Sequence, residues 1–146
     1  MIPEGRVLGV DLGSRRIGVA VTDSAQTVAT GVTALIRSGV RATDHAALAA
    51  MVTDYEAVGI VIGLPVSLSG DLGPAAKAVL DEISEIRAVV AVEVDTVDER
   101  FSTVAAAGAL RAGGHRERQQ RGVIDQSAAA VLLQTWVERR AARTNG

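Results

Sequence analysis

At 146 residues, 48% hydrophobic and 22% charged, the chain has the size and balance of one globular domain with a real core, which excludes a disordered or fibrous protein. It has no cysteine, which excludes a disulfide framework and a thiolate zinc site, and its two histidines, His45 and His115, are too few and too far apart for a histidine metal cluster. The net charge of −2 speaks weakly against a nucleic-acid partner, although the distribution of charge matters more than its total.

The start of the chain lacks the basic residues and long apolar run of a signal peptide, and no stretch approaches the ~18 apolar residues of a membrane span, so a cytoplasmic location is expected. Tyr55, Phe101 and Trp136 are the only aromatics, so the core must be mostly aliphatic. The same scarcity argues against a binder that stacks unpaired bases on aromatic platforms. All the basic residues but Lys77 are arginines. Arginine suits bidentate phosphate contact, although GC-rich coding would produce the same bias.

In chain order, Arg6 to Gly13 is a short apolar run that ends in a glycine turn, as a strand does. Ser14-Arg15-Arg16 turns it into Ile17–Thr22, whose β-branched residues predict a second, antiparallel strand. Thr27 to Ile36 predicts a third. Asp44 is then placed to cap an alanine-rich helix carrying Leu48, Met51 and Val52. Val58 to Gly63 is a continuous apolar run, expected of a strand buried on both faces. Pro74 suits the first turn of a helix burying Ala76, Val79, Leu80 and Ile83, and Val89 to Val94 predicts a fifth strand. Ser102 can cap a helix ending at Gly113-Gly114, and a last helix is expected from Val123 to Arg140. A meander followed by strand, helix, strand and helices predicts an α/β fold: a mixed five-stranded sheet flanked by helices. One domain over 1–142 and a loose tail over 143–146 complete the organisation.

Three acids stand where such a fold could use them. Asp11 closes the first strand, on the face of Val7 and Gly9. Taken alone, a carboxylate in that place is more often a turn residue. Asp98 and Glu99 follow the fifth strand and, as neighbours in extended chain, cannot both face one site; a local ion pair with Arg100 would account for them. Asp125 opens the last helix, where an N-cap is the plain role. On a helical wheel, Ile124, Ala128, Val131 and Thr135 form a stripe with Asp125 on its margin beside Leu132 and Trp136, so its carboxylate faces inward or sideways and needs a partner. Acids without histidine or cysteine would make an oxygen-only site suited to magnesium or manganese.

The order of these residues carries a resemblance. Leu8-Gly-Val-Asp11-Leu-Gly-Ser-Arg-Arg-Ile-Gly-Val-Ala-Val21 closely resembles the opening motif of the YqgF/RuvX family. Val61-Ile-Gly-Leu-Pro65, with Gly70 and Gly73-Pro74, resembles its second motif. Asp98-Glu-Arg-Phe-Ser-Thr103 is similar to the third, and Asp125-Gln-Ser-Ala-Ala129 with Leu132-Leu-Gln134 to the fourth. The resemblance implies a ribonuclease H-like fold and a nuclease that matures the 5′ end of precursor 16S ribosomal RNA or resolves Holliday junctions. It implies Asp11, Glu99 and Asp125 as the metal-binding, catalytic acids, holding two Mg2+ or Mn2+ ions, and so selects Glu99 over Asp98. Two departures stand out: Ser67 and Ser69 occupy positions where the family usually has asparagine and aspartate, and the loop before the last motif reads Arg116-Glu-Arg-Gln-Gln-Arg121 where lysines are common.

The leading expectation is therefore a metal-dependent endonuclease acting on structured RNA, such as precursor ribosomal RNA or a ribosomal particle, leaving a 5′-phosphate and a 3′-hydroxyl. Arg15, Arg16, Ser67, Ser69, Arg100, Arg111, Arg116, Arg118 and Arg121 are its candidate phosphate contacts, each equally explained as solvated surface. Cleavage of branched four-way DNA is the alternative and would need a two-fold dimer. A non-catalytic RNA-binding assembly factor is the third, disfavoured because binding anionic RNA gains nothing from clustered acids. A sugar kinase or chaperone ATPase, which clamps nucleotide between two related domains, does not fit in one domain.

Overall fold

The computed structural model describes residues 1–67, 69–101 and 118–145, with the side chains of 127–143 in the last of these stretches. Three strands, β1 (Val7–Leu12), β2 (Arg16–Thr22) and β3 (Ala29–Ile36), form the opening meander. Helix α1 (Arg41–Asp54) leads to β4 (Gly59–Leu64), and α2 (Pro74–Val89) leads to β5 (Glu93–Asp98). A single 3-10 turn over Glu99–Phe101 follows β5, and α3 runs from Arg118 to Asn145. The sheet order is β3-β2-β1-β4-β5, antiparallel through the meander and parallel from β1 to β5. This is the mixed five-stranded sheet expected from the sequence.

Strand alternation divides the core in two. Leu8, Val10, Ile17, Val19, Ile60 and Ile62 point to one face and pack beneath Leu48 and Val52 of α1 and Ile83 and Ile86 of α2. Val7, Ala20, Val61 and Val97 point to the other and pack beneath Ala129, Leu132, Leu133 and Trp136 of α3. β4 is buried on both faces, which is why it reads as an unbroken apolar run. Two side chains fix α3 across the sheet. Trp136 Nε1 donates to Asp95 of β5 at 3.0 Å, and the Gln134 amide accepts from Ala29 N at 2.8 Å and donates to the Thr27 carbonyl at 3.1 Å.

The boundaries of β5, α1 and α3 differ from expectation. β5 starts at Glu93 and not Val89, because α2 uses the apolar residues through Val89. The true strand is at the sheet edge, buries only Val94 and Val97, and is otherwise polar. Asp44 is not the N-cap of α1; the helix begins at Arg41, and Asp44 in its first turn accepts a hydrogen bond from Ser38 N at 3.0 Å. α3 begins at Arg118 and continues through Asn145. Its buried stripe is Ala128, Ala129, Leu132, Leu133, Trp136 and Val137, while Val131 and Thr135 are only partly buried. The stripe is thus rotated from the expected one, and position 125, one turn before Ala129 and two before Leu132, falls within it by spacing. The helix expected after Ser102 lies outside the described residues. Among the described residues no helix is long and apolar enough to cross a membrane.

Candidate active site

Asp11 sits at the C-terminal end of β1, half-buried, on the face covered by α3. The helix comes very close here. A Cβ built on Gly9, two residues earlier on the same face, would stand 2.7 Å from Leu133 Cβ and 3.1 Å from the Ala129 carbonyl oxygen. Only glycine admits that approach. Beyond Asp11 the chain turns at once: Gly13 N donates to the Asp11 carbonyl at 3.0 Å, and a Cβ on Gly13 would lie 2.5 Å from the Arg16 carbonyl oxygen. The Gly-x-Asp-x-Gly pattern around Asp11 is therefore steric in origin on both sides.

Glu99 approaches the same place from the sheet edge. In the parallel ladder Val10 pairs with Ile62 and Gly63 pairs with Val97, so Gly63 of β4 lies between the ends of β1 and β5. The Glu99 carboxylate comes back over this glycine: Oε1 is 3.0 Å from where a Gly63 Cβ would be. Leu132 of α3 fills the rest of that space, with Cδ1 at 2.6 Å from the same point. With strands ~4.8 Å apart, Asp11 and Glu99 flank Gly63 from its two sides, both on the α3 face.

Asp98 is separated from this arrangement. Arg100 grips both carboxylate oxygens, Nη2 donating to Oδ2 at 2.7 Å and Nε to Oδ2 at 3.0 Å and Oδ1 at 3.2 Å, with Arg100 N donating to Oδ1 at 2.9 Å. The side-chain bonds from Arg100 chiefly hold its carboxyl below the usual aspartate value. This is the local ion pair that the sequence allowed. Position 125 is in the first part of α3, four residues before Ala129, whose carbonyl lies over Gly9; the side chain of Asp125 is outside the described residues. Among the described residues no group of three acids, histidines or cysteines could hold a metal ion. Asp11 and Glu99 provide two carboxylates, and each has an interaction within the protein.

The comparisons with known proteins agree with one another. The family model described as "RuvX: Holliday junction resolvase" matches residues 5–139. The chain belongs to the RuvX family. A relative from Anaeromyxobacter dehalogenans (strain 2CP-C), named "Putative pre-16S rRNA nuclease", is 45% identical over 136 residues, covering 93% of this chain and 98% of the relative. One of the same name from Kineococcus radiotolerans is 48% identical over 132 residues, covering 90% of this chain and 70% of the relative. Among solved structures, Thermus thermophilus RuvC superposes with a TM-score of 0.56 at 14% identity, covering 94% of this chain and 96% of that one. RuvC in complex with a Holliday junction gives 0.54 at 17%, with the same coverage. At that identity the likeness is one of fold, and the fold is ribonuclease H-like.

In this RuvX-family chain the expected phosphate contacts divide. Arg15 is exposed in the turn after Asp11, and Arg16, the first residue of β2, is half-buried. Arg100 is committed to Asp98. Ser67 and Ser69 bond to each other at 2.9 Å and to Asp71, so their hydroxyls shape their own loop. Arg111 and Arg116 lie outside the described residues, as do the side chains of Arg118 and Arg121.

The sequence reading missed a buried polar network on the opposite face. Arg37 donates through Nη1 and Nη2 to Glu82 at 2.6 and 3.0 Å and through Nε to the Gly13 carbonyl at 2.9 Å, tying the turn after Asp11 to α2. His45 Nε2 meets the same carboxylate at 2.7 Å and, because an ionised carboxylate only accepts, carries the hydrogen there. Glu82 is 4% exposed. Its burial raises its pKa, but the bonds from Arg37 and His45 outweigh that and hold the carboxyl below its ordinary value. A signal was available: Glu82 occupies the i+3 slot of the apolar stripe Val79, Ile83, Ile86, where an unpaired acid would not be tolerated.

Gly63 gives a test confined to this site. Gly63→Ala should force Leu132 and the Glu99 carboxylate apart, costing ~1–3 kcal/mol of stability by overpacking. Adding Leu132→Val should recover much of the stability, read by urea unfolding, while metal-dependent cleavage stays reduced by about tenfold or more. Recovery of both together would show that Glu99 is not displaced.

Proposed function

We propose that this chain is a divalent-metal-dependent endonuclease that processes the 5′ end of precursor 16S ribosomal RNA. The observation that carries the proposal is the placement of two acids about Gly63: Asp11 closes β1, the strand beside it, and Glu99, on the turn after β5, brings its carboxylate over the glycine. The names of relatives 45% and 48% identical support the RNA substrate. Asp11, Glu99 and Asp125 would hold magnesium or manganese, hard ions that prefer such oxygen donors. Bound there, a pair of ions supplies a water nucleophile and stabilises the leaving oxygen of a phosphodiester. The rest falls to the protein. Gly63 leaves room for Glu99, the Gly13 turn fixes the exit of β1, and Arg15 and Arg16 beside Asp11 draw in a phosphate backbone that the acids alone would repel. Sequencing of 16S RNA 5′ ends in cells depleted of this protein tests the proposal. Extended 5′ ends should accumulate; mature ends in normal proportion would contradict it.

Residues 111–121 hold four arginines against one acid, Glu117, on a protein of net charge −2, and Arg118 and Arg121 stand in the first turns of the helix that carries Asp125. Removing the charges of Arg116, Arg118 and Arg121 should weaken RNA binding across sequences and flatten the slope of log affinity against log salt by roughly 0.7–0.9 per lost contact. A salt titration of metal-free protein reads this without cleavage. An unchanged slope would move the binding surface to Arg15 and Arg16.

The description of the matching family favours a second substrate, the four-way DNA junction. That reaction requires two sites related by a two-fold axis, so it predicts a stable dimer and paired nicks. A monomer in sedimentation would exclude it.

A further inference from the structure

A cleft of about 490 Å3 opens beside Asp98 and Phe101, the residues on either side of Glu99-Arg100, between β5, the edge strand among the described residues, and the C-terminal half of α3. Its lining includes Thr96, Val97, Phe101, Trp136, Arg139 and Arg143. Phe101 lies two residues beyond Glu99 and is 53% exposed, in a protein whose core takes up the other large apolar side chains of this face. The ring is held in place by cations: the Arg139 guanidinium stands 4.1 Å from its centroid and that of Arg100 5.7 Å. Arg143, one helical turn beyond Arg139, lines the same wall. The acid in the cleft, Asp98, is already neutralised by Arg100, and the Trp136 indole is spent on Asp95. What faces the cleft is thus a fixed, exposed aromatic ring and two cationic side chains, within the ~300–1,000 Å3 range of small-ligand clefts. An exposed phenylalanine costs free energy in water unless something covers it.

We infer that this cleft is a nucleotide subsite that takes one unpaired nucleotide of the substrate strand beside the cleaved bond, the base stacking on Phe101 and the phosphate meeting Arg139 and Arg143. The inference rests on the nuclease proposed above and narrows its substrate to RNA with a single-stranded segment at the cleavage site. It runs against the expectation from composition that so few aromatics disfavour base stacking, because a single exposed ring near the acids is enough for one base. An aromatic face accepts any base, so the subsite selects for an unpaired nucleotide and not for its identity.

The experiment measures binding of metal-free protein, in EDTA, to two fluorescein-labelled RNAs: a blunt hairpin, and the same hairpin with a short single-stranded adenosine tail. Phe101→Ala should weaken binding of the tailed hairpin by about tenfold or more and leave the blunt hairpin unchanged, and Phe101→Trp should restore the loss. Abasic sites scanned along the tail should find one position that weakens wild-type binding by a similar factor and has no further effect in Phe101→Ala. Arg139→Ala with Arg143→Ala should flatten the salt dependence for the tailed RNA only. Equal losses on both hairpins, no loss in Phe101→Ala, or abasic effects that simply add to it would overturn the subsite. No cleavage is read, so wild-type protein that binds the tail through Phe101 yet yields no metal-dependent product would refute the nuclease alone.

Discussion

Asp11→Asn and Glu99→Gln are each expected to lower metal-dependent cleavage by about 10^3-fold or more while leaving the fold intact. Each change removes a negative charge and barely alters shape, so packing against α3 is retained. A charged ligand to a catalytic ion contributes several kcal/mol, and each ~1.4 kcal/mol is tenfold in rate. Two carboxylates that share a metal site repel one another without the ion, so the melting temperature of metal-free protein should be unchanged or raised. Asp125→Asn should behave the same way. Asp98→Asn should not: its charge is spent on Arg100 at the sheet edge, and a modest effect is expected. Single-turnover cleavage and thermal unfolding of the four variants check this directly. A dead Asp98→Asn beside an active Glu99→Gln would reverse the assignment of the two neighbours.

The second large effect is on stability. Glu82→Ala should cost about 2–4 kcal/mol, because it leaves the partly buried Arg37 guanidinium with only Asp44, 4.0 Å away, and the buried His45 Nε2 without its acceptor. The effect should reach the active site, since Arg37 also holds the Gly13 carbonyl in the turn after Asp11. The pH dependence has a definite sign. The Glu82 pKa is lower in the folded protein than its ordinary 4.5, so its stabilising contribution is fully present above that value and is lost as pH falls through the folded value. The stability gap between wild type and Glu82→Ala, measured by urea unfolding, should therefore be constant at neutral pH and shrink in acid below about 4.5. A gap that widens in acid would mean that Glu82 is buried uncharged.

Much of the fold was legible because the strands bearing the site are the apolar ones. β1, β2 and β4 show their β-branched content and glycine turns directly, and alternation placed Asp11 on the same face as Val7 and Gly9, where it is found. β5 was misplaced by four residues because an edge strand needs only Val94 and Val97 for the core, while the end of α2 is as apolar as a buried strand. Glu99 could be selected over Asp98 only through the family motif; the physical basis, the bare backbone at Gly63, is a contact between residues 36 apart in sequence. The stripe of α3 is turned from the expected one because the face laid on the sheet runs through Ala129, Leu132 and Leu133, with the Ala129 backbone against Gly9, and that close approach depends on a glycine in another element. The Arg37–Glu82–His45 network and the exposed Phe101 were missed for one reason: each depends on side chains from elements whose apposition no local pattern states.

The most direct measurement is 5′-end mapping of the products formed by the purified protein on precursor 16S RNA, naked and within a pre-ribosomal particle. If Asp11, Glu99 and Asp125 hold the catalytic metal, magnesium or manganese should yield the mature 5′ end bearing a 5′-phosphate, and EDTA or any one of Asp11→Asn, Glu99→Gln and Asp125→Asn should abolish it. Cleavage that survives in all three variants, or that occurs on a four-way DNA junction and on neither RNA substrate, would contradict it.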